Sequence, residues 1–159
     1  VLSRYAIGFD GQMHFYPRDL TTNEQALSDN LQSVLSDYLA AASYVTSASS
    51  WFEQFASLGE MGVTFTCPGF YAAQNRKLRL PILEDSIITG VREMPWDTER
   101  ALNFEMETAM IYGLGRVLGH DCGSLSLIVY NRHTQESCTD VSVMQQVIAD
   151  VLQHLVKTL

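Results

Sequence analysis

Basic residues are few in this sequence: ten Lys and Arg stand against eighteen Asp and Glu, which gives a formal net charge of −8. Proteins that bind nucleic acid usually carry a basic stripe, and scattered cations outnumbered by acids do not form one. The same imbalance disfavours an anionic membrane surface. We therefore expect no nucleic acid and no membrane among the partners, and an anionic substrate would need a local cluster of arginines.

Cysteine is scarce as well, and long apolar runs are absent. Cys67, Cys122 and Cys138 are odd in number and follow no spacing pattern, so a reducing, cytoplasmic location is predicted rather than a disulfide framework. His120 lies near Cys122, but no second pair of ligands completes a metal motif, and we expect no metal.

No run reaches the roughly 18 apolar residues that span a bilayer. The chain begins inside an apolar run without Met or signal peptide, which is typical of a processed chain or a fragment.

What the sequence does contain is an alternation of strand and helix patterns. Its 159 residues, 47% apolar and 18% charged, suit one domain with a real core, and the alternation predicts the α/β class. Strands are predicted over 1–9, 61–66, 101–106 and 124–130, with further extended segments at 77–82 and 86–91. Helices are predicted over roughly 23–41, 51–58, 107–120 and a last stretch that includes 144–155, with capping boxes beginning at Thr22, Ser50 and Ser142.

Polar residues follow three of the predicted strands. In α/β sheets, ligands gather at the carboxyl ends of the strands, so these positions are the candidate site. The pairs are Gln74 and Arg76, then Glu105 and Glu107, then Asn131 and Arg132.

Glu105 and Glu107 flank Met106 at the predicted junction of a strand and a helix. Carboxylates in the first turn of a helix complement its dipole, so a purely structural role is one reading. A carboxylate there can also accept hydrogen bonds from two neighbouring ribose hydroxyls, and a backbone N–H at the helix start can add a contact. A metal held by the acid pair is a third and weaker alternative.

The segment GFYAAQNR, residues 69–76, has the groups that a pyrimidine would need. Phe70 offers a flat apolar face if it is exposed, although a core position is the alternative. Gln74 and Arg76 can face the same side of an extended segment, and their donors and acceptor suit the imide edge of a pyrimidine. The structural alternative for both is a solvated loop, and Arg132 can equally be a surface cation.

Together, these three segments resemble the uridine phosphorylases of the nucleoside phosphorylase family. Here they read Phe70-Tyr71-Ala72-Ala73-Gln74-Asn75-Arg76, Asn103-Phe104-Glu105-Met106-Glu107 and Asn131-Arg132. In that family the first segment reads uracil, the second binds ribose, and the third ends a strand. The resemblance runs from about residue 5 to the C-terminus, and it implies a three-layer α/β/α fold with a mixed central sheet.

The resemblance also implies a reaction, the reversible phosphorolysis of uridine to uracil and ribose 1-phosphate in pyrimidine salvage. Arg76 and Arg132 would be catalytic, because they stabilise the charge that develops on the leaving uracil. The implied base ligands are Phe70, Gln74, Arg76 and Arg132, and the implied ribose ligands are Glu105, Met106 and Glu107. The implied reaction needs no cofactor. Phosphate is a co-substrate.

Differences within the family favour a pyrimidine. Purine-specific relatives and the related nucleosidases have Asp where Asn131 stands here. The chain also departs from the usual pattern: Ala72 and Ala73 replace a frequent Pro-Gly, and Thr108 stands where many members have Ser.

The family's phosphate-binding segments have no counterpart in this sequence. They include a Gly-Asp-Pro loop, arginines and a Gly-Thr segment in the N-terminal portion, so residues 1–159 resemble the C-terminal part of a longer phosphorylase domain. Family members pair as dimers, which implies a homodimer or a higher homo-oligomer. Two alternatives stay open: a nucleoside-binding chain without catalysis, and a hydrolytic nucleosidase.

Overall fold

The computed structural model describes residues 1–82 and 86–158, and in that part of the chain four strands form one mixed sheet in the order β2-β1-β3-β4. The strands are β1 (Leu2–Gly8), β2 (Tyr44–Ser47), β3 (Met61–Thr66) and β4 (Ala101–Glu105). The α-helices are α1 (Thr22–Val34), α2 (Asp37–Ala42), α3 (Ser86–Glu93), α4 (Thr108–Val117) and α5 (Val141–Thr158). Short 3-10 helices cover Gln12–Phe15, Ser50–Leu58 and Ala72–Gln74.

The fold has three layers, in which helices pack on both faces of the central sheet and form a core on each face. β1, β3 and β4 run parallel, whereas β2 pairs antiparallel with β1. Alternate strand residues such as Ile7 and Phe65 pack with α1 and α3, while Ala6 on the opposite face packs with Ala109 and Tyr112 of α4. The predicted α/β class with a mixed central sheet is confirmed.

The first predicted helix is interrupted, and its cap lies one residue earlier than predicted. Thr21 Oγ1 accepts from the Glu24 N–H at 3.2 Å, and the Glu24 carboxylate accepts from the Thr21 N–H at 2.8 Å. This pairing excludes Thr22 as the cap, because Thr22 is already helical. Ser36 takes an extended conformation and starts α2, so that Leu35 and Leu39 both reach the core.

The prediction of an extended segment at 86–91 is wrong, because these residues form α3. The buried residues Ile87, Val91 and Met94 recur at intervals of four and three, which is the period of a helix with one face on the core. The β-branched composition suggested a strand, and packing against α1 overrides that propensity. Residues 77–82 also form no strand in the described structure.

The prediction of a buried strand at 124–130 is wrong as well. Its ladder is limited to two isolated bridges, Leu2 with Leu125 and Tyr130 with Ser137. Ile128, Val129 and Tyr130 are at least 39% exposed. A strand forms when a neighbour pairs along its whole length. Here the first residues of the chain bond to Ser124 and Ser126, and Cys138 bonds to Val129, so no neighbour among the described residues pairs along the whole segment.

Two further helix starts differ from the predicted capping boxes. Residues 50–58 form a 3-10 helix without a side-chain cap, and Glu53 pairs with Arg4 instead. At α5 the Asp140 carboxylate accepts from the Ser142 N–H at 2.8 Å, which makes the acid, and not Ser142, the residue that satisfies the helix start. Ile148 and Leu152 of α5 are 60% and 57% exposed.

No helix in the described ranges has both the length and the apolar character needed to cross a bilayer.

Candidate functional site

One cleft opens at the carboxyl ends of β3 and β4. Its volume is about 980 Å³, and its walls are the loop after β3, the end of β4 and residues 126–133. All seven residues predicted as base or ribose ligands line it: Phe70, Gln74, Arg76, Glu105, Met106, Glu107 and Arg132. The parallel pairing of β3 and β4 brings these segments together, because parallel strands present their carboxyl ends at the same edge.

A short turn, not an extended segment, places Gln74 and Arg76. Ala72–Gln74 form a 3-10 helix, Asn75 adopts the left-handed conformation with φ of 57°, and the Arg76 N–H donates to the Tyr71 carbonyl at 2.8 Å. Asn tolerates this conformation better than most residues. The predicted extended geometry is therefore wrong, although both side chains line the same cleft.

The two arginines of the cleft have unused donors. The guanidinium carbon of Arg76 lies 4.0 Å from the centroid of the Phe70 ring, which is a cation–π contact. Arg132 donates through Nη2 to the backbone carbonyl of Gln74, and its guanidinium lies 5.6 Å from the Phe104 ring. Arg76 Nε and Arg132 Nη1 are buried and have no hydrogen-bond partner among the described residues. Buried donors of this kind are costly unless a ligand or water satisfies them.

The charges of these arginines also act on each other. Burial, and then the positive charge of Arg76, lower the pKa of Arg132. Arginine remains protonated in proteins, so both groups stay cationic. Two like charges in one cleft repel each other, and an anionic or electron-rich group between them would relieve that repulsion.

The two acids of the EMET segment have different surroundings. One oxygen of the Glu105 carboxylate accepts from the Glu107 N–H at 2.8 Å, the Thr108 N–H at 2.8 Å and the Thr108 hydroxyl at 2.9 Å, and the other faces the Thr66 hydroxyl. For the Glu107 carboxylate, the described structure has one bond, from the neighbouring Met106 N–H at 3.2 Å. Glu107 is exposed to the cleft, so it can accept hydrogen bonds from a ligand.

Asn131 stabilises its own turn. Its side-chain oxygen accepts from the N–H groups of His133 at 2.9 Å and Thr134 at 3.3 Å. This arrangement is an Asx-type turn, which Asn favours. The turn directs the chain so that Arg132 and His133 both line the cleft.

Sequence reasoning missed Thr66 and Cys67, which lie at the end of β3 and its continuation. Both are fully or almost fully buried, and burial raises the pKa of the Cys67 thiol to about 12, with the charge of Glu105 adding to the effect. The thiol is therefore protonated near neutral pH and is no nucleophile. The alternation of Thr64 and Thr66 in GVTFT placed hydroxyls on one strand face, but only the pairing with β4 reveals that Thr66 meets Glu105.

Comparisons with known proteins support the fold and leave the chemistry open. No protein-family model and no curated protein sequence matches the chain. A solved structure does: a Trypanosoma brucei nucleoside phosphorylase, described as showing uridine phosphorylase activity, superposes with a TM-score of 0.84 at 20% sequence identity. The match covers 98% of this chain and 57% of the trypanosomal chain. The chain thus has a nucleoside phosphorylase-like fold and spans little more than half of that neighbour.

Proposed function

We propose that the cleft binds a pyrimidine nucleoside and that the chain forms the base and ribose side of a uridine phosphorylase-type pentosyltransferase. The observation that carries the proposal is the pair of cations, Arg76 and Arg132, each with a buried N–H that lacks a partner among the described residues. They lie in the same cleft as the exposed carboxylate of Glu107. A uridine has matching ends, with carbonyl oxygens on the base and a diol on the sugar.

At the base end, the reaction creates charge that the arginines would stabilise. A phosphate oxygen bonds to C1′ of the ribose, the N1–C1′ bond breaks, and its electron pair leaves with the uracil. The resulting uracil anion then takes a proton from solvent. Donors fixed in advance at the place where charge develops are worth more than flexible ones, and Arg132 is held by the Gln74 carbonyl before any ligand arrives.

At the sugar end, Glu107 would accept hydrogen bonds from the ribose hydroxyls. An ionised carboxylate has two oxygens and accepts from neighbouring hydroxyls at once. The Met106 N–H, which now donates to Glu107, lies beside them and could turn to a ribose oxygen. Holding the sugar in this way would align C1′ for attack, which lowers the entropic part of the barrier.

Phosphate is the co-substrate of this proposal, and no redox cofactor or metal takes part in it. The phosphate-binding segments of the resembled family have no counterpart in this sequence, and the chain spans 57% of its structural neighbour. A second candidate function is that the chain binds nucleosides without transferring the ribose, since the residues of the cleft supply candidate base and ribose ligands and residues 1–159 hold no counterpart of those phosphate-binding segments. A homodimer belongs to the proposal on the ground of the family resemblance, and a cytoplasmic location on the ground of the few, unpatterned cysteines.

The release of uracil from uridine, with and without inorganic phosphate, tests the proposal. We expect uracil only when phosphate is present, with ribose 1-phosphate formed in equal amount. Release that does not depend on phosphate would indicate a hydrolytic nucleosidase. Uridine binding without release would indicate the nucleoside-binding function, and a protein that neither binds nor cleaves uridine would contradict both.

A further inference from the structure

We infer that Glu105 is a positioning residue, which holds the turn that carries Glu107, and that it is not itself a ribose ligand. The inference rests on the proposed function, since Glu107 is the sugar ligand there. From the sequence, Glu107 is the stronger candidate for the ribose diol and Glu105 the weaker, although they lie one residue apart at the same junction. Their hydrogen bonds in the described structure separate them.

The carboxylate of Glu105 satisfies the start of α4. The first N–H groups of a helix have no partner inside the helix, and a side chain or a ligand must satisfy them when they are not exposed to water. Glu105 accepts from two of them, the N–H groups of Glu107 and Thr108, at 2.8 Å each. Glu105 therefore accepts the hydrogen bonds that an N-cap side chain usually accepts. Glu107, the residue at the N-cap position, makes no such bond with its side chain.

Thr66 anchors the other oxygen of Glu105 to the sheet. Thr66 and Glu105 are register partners at the ends of β3 and β4, and Thr66 is 1% exposed. The Thr66 Oγ1 accepts from the Ala109 N–H at 2.9 Å, so its own hydrogen is free to be donated to Glu105. One hydroxyl thus links the third N–H of the helix start to the carboxylate.

Through Thr108, the hydrogen bonds around Glu105 extend to the beginning of the chain. The Thr108 hydroxyl donates to Glu105 at 2.9 Å and lies 3.0 Å from the Ser124 hydroxyl. The Ser124 N–H donates to the Tyr112 hydroxyl at 2.8 Å, and that hydroxyl donates to the Ser3 carbonyl at 2.6 Å. The turn at Glu107 is therefore connected to β1, β3 and α4 by hydrogen bonds that meet at one carboxylate.

All the hydrogen bonds around Glu105 are donated to it, and those from the helix start reach a single charged oxygen. In Glu105→Gln the NH2 group can turn to the Thr66 hydroxyl, whose oxygen has a lone pair to accept with, and the amide oxygen faces the helix start. That oxygen is neutral, so the hydrogen bonds that it accepts are weaker than those of the carboxylate. The change keeps the volume of the side chain, so it weakens these hydrogen bonds without creating a cavity.

Amide hydrogen exchange and ligand binding together test the inference. In Glu105→Gln we expect the amides of residues 107–109 to exchange on the order of 10 times faster than in the wild type, because hydrogen bonds to a charged acceptor are replaced by bonds to a neutral one. Uridine affinity should fall by a similar factor, whereas uracil affinity should stay unchanged, because uracil has no sugar.

Two matched variants complete the test. Thr66→Val removes the anchoring hydroxyl but keeps Glu105, and it should reproduce the faster exchange and the selective loss of uridine affinity. Glu107→Gln should weaken uridine binding while the amides of 107–109 stay protected. Exchange in Glu105→Gln and Thr66→Val at the wild-type rate would overturn the inference. If wild-type protein binds no uridine, the proposed function fails, and the exchange rates still decide whether Glu105 holds the turn.

Discussion

At the scale of single residues, the cleft distinguishes side chains that are already engaged from side chains that remain available. Glu105 and Asn131 use their oxygens to stabilise the turns on which they lie. Glu107, Arg76 and Arg132 keep groups that the described structure does not satisfy. The sequence alone could identify these residue types at strand ends and favour Glu107 over Glu105 for the ribose. It could not show that Glu105 satisfies the helix start, because that role depends on the register between β3 and β4.

Arg76→Ala tests whether Arg76 acts on the leaving base and not on the phosphate. Under the proposed function we expect turnover to fall by roughly 10²–10³, about 3–4 kcal/mol, because one preorganised donor at the leaving group would be lost. Phosphate affinity should change little, and steady-state kinetics with both substrates varied would measure the two effects separately. Arg79→Ala is the matched control, since Arg79 is exposed in the following loop and does not line the cleft. A collapse of phosphate affinity with turnover preserved would refute the proposed role of Arg76.

At the scale of secondary-structure elements, helix ends and strand pairing decide which strands and helices can be predicted from the sequence. GVTFT and ALNFE were predictable as strands, because short β-rich segments bounded by turn residues allow few alternatives. The segment 86–91 was not, because a β-branched run at the spacing of a helix satisfies both patterns. The segment 124–130 has the composition of a buried strand but lacks a partner along most of its length in the described structure.

One ion pair connects α1 to α4. Glu24, whose side chain is fully buried, accepts from Arg116 at 2.7 and 2.9 Å, and Arg116 is 36% exposed. Burial alone would raise the pKa of Glu24, but the hydrogen bonds from Arg116, Thr21 and Ser47 outweigh it and hold this pKa below its ordinary value of 4.5. The pair therefore stabilises the fold at a pH above about 4.5, and this contribution is lost as the pH falls through the lowered pKa.

Arg116→Met should consequently destabilise the protein in a pH-dependent manner. At neutral pH we expect a loss of about 3 kcal/mol in the free energy of unfolding, the lower end for breaking a buried pair, because Arg116 is partly exposed to solvent. Urea unfolding at several pH values measures it, and the difference from wild type should shrink below pH 4.5. Arg100→Met is the control: its pair with Glu60 is on the surface, at 76% and 53% exposure, so a loss of at most about 1 kcal/mol is expected. Equal losses in both variants, or a difference independent of pH, would contradict this account.

At the scale of the whole molecule, the sheet order explains why distant segments meet. Residues 70–76, 105–107 and 131–132 are widely separated in the sequence, and β3, β4 and the exposed segment after α4 bring them to one edge. The fold could be anticipated from the alternation of elements and the motif order. The extent of the site could not, because the chain spans 57% of its structural neighbour and has no sequence counterpart of the phosphate-binding segments.

The charge of the molecule bears on the ligand as well. With a net charge of −8, the chain repels anions at long range, whereas uridine is neutral and is unaffected by that field. Inside the cleft the two arginines reverse the local sign. Uridine binding should therefore vary little with salt concentration, since no net charge is brought to the protein.

The most direct measurement of the central claim is a titration of isotope-labelled protein with uridine, followed by NMR. We predict saturable shift changes at Phe70–Arg76, Met106–Glu107 and Asn131–Arg132, with the Arg76 and Arg132 guanidinium signals among the largest, and weaker changes with adenosine. Changes confined to the smaller groove between α5 and residues 57–58, or no saturable change at all, would contradict the account.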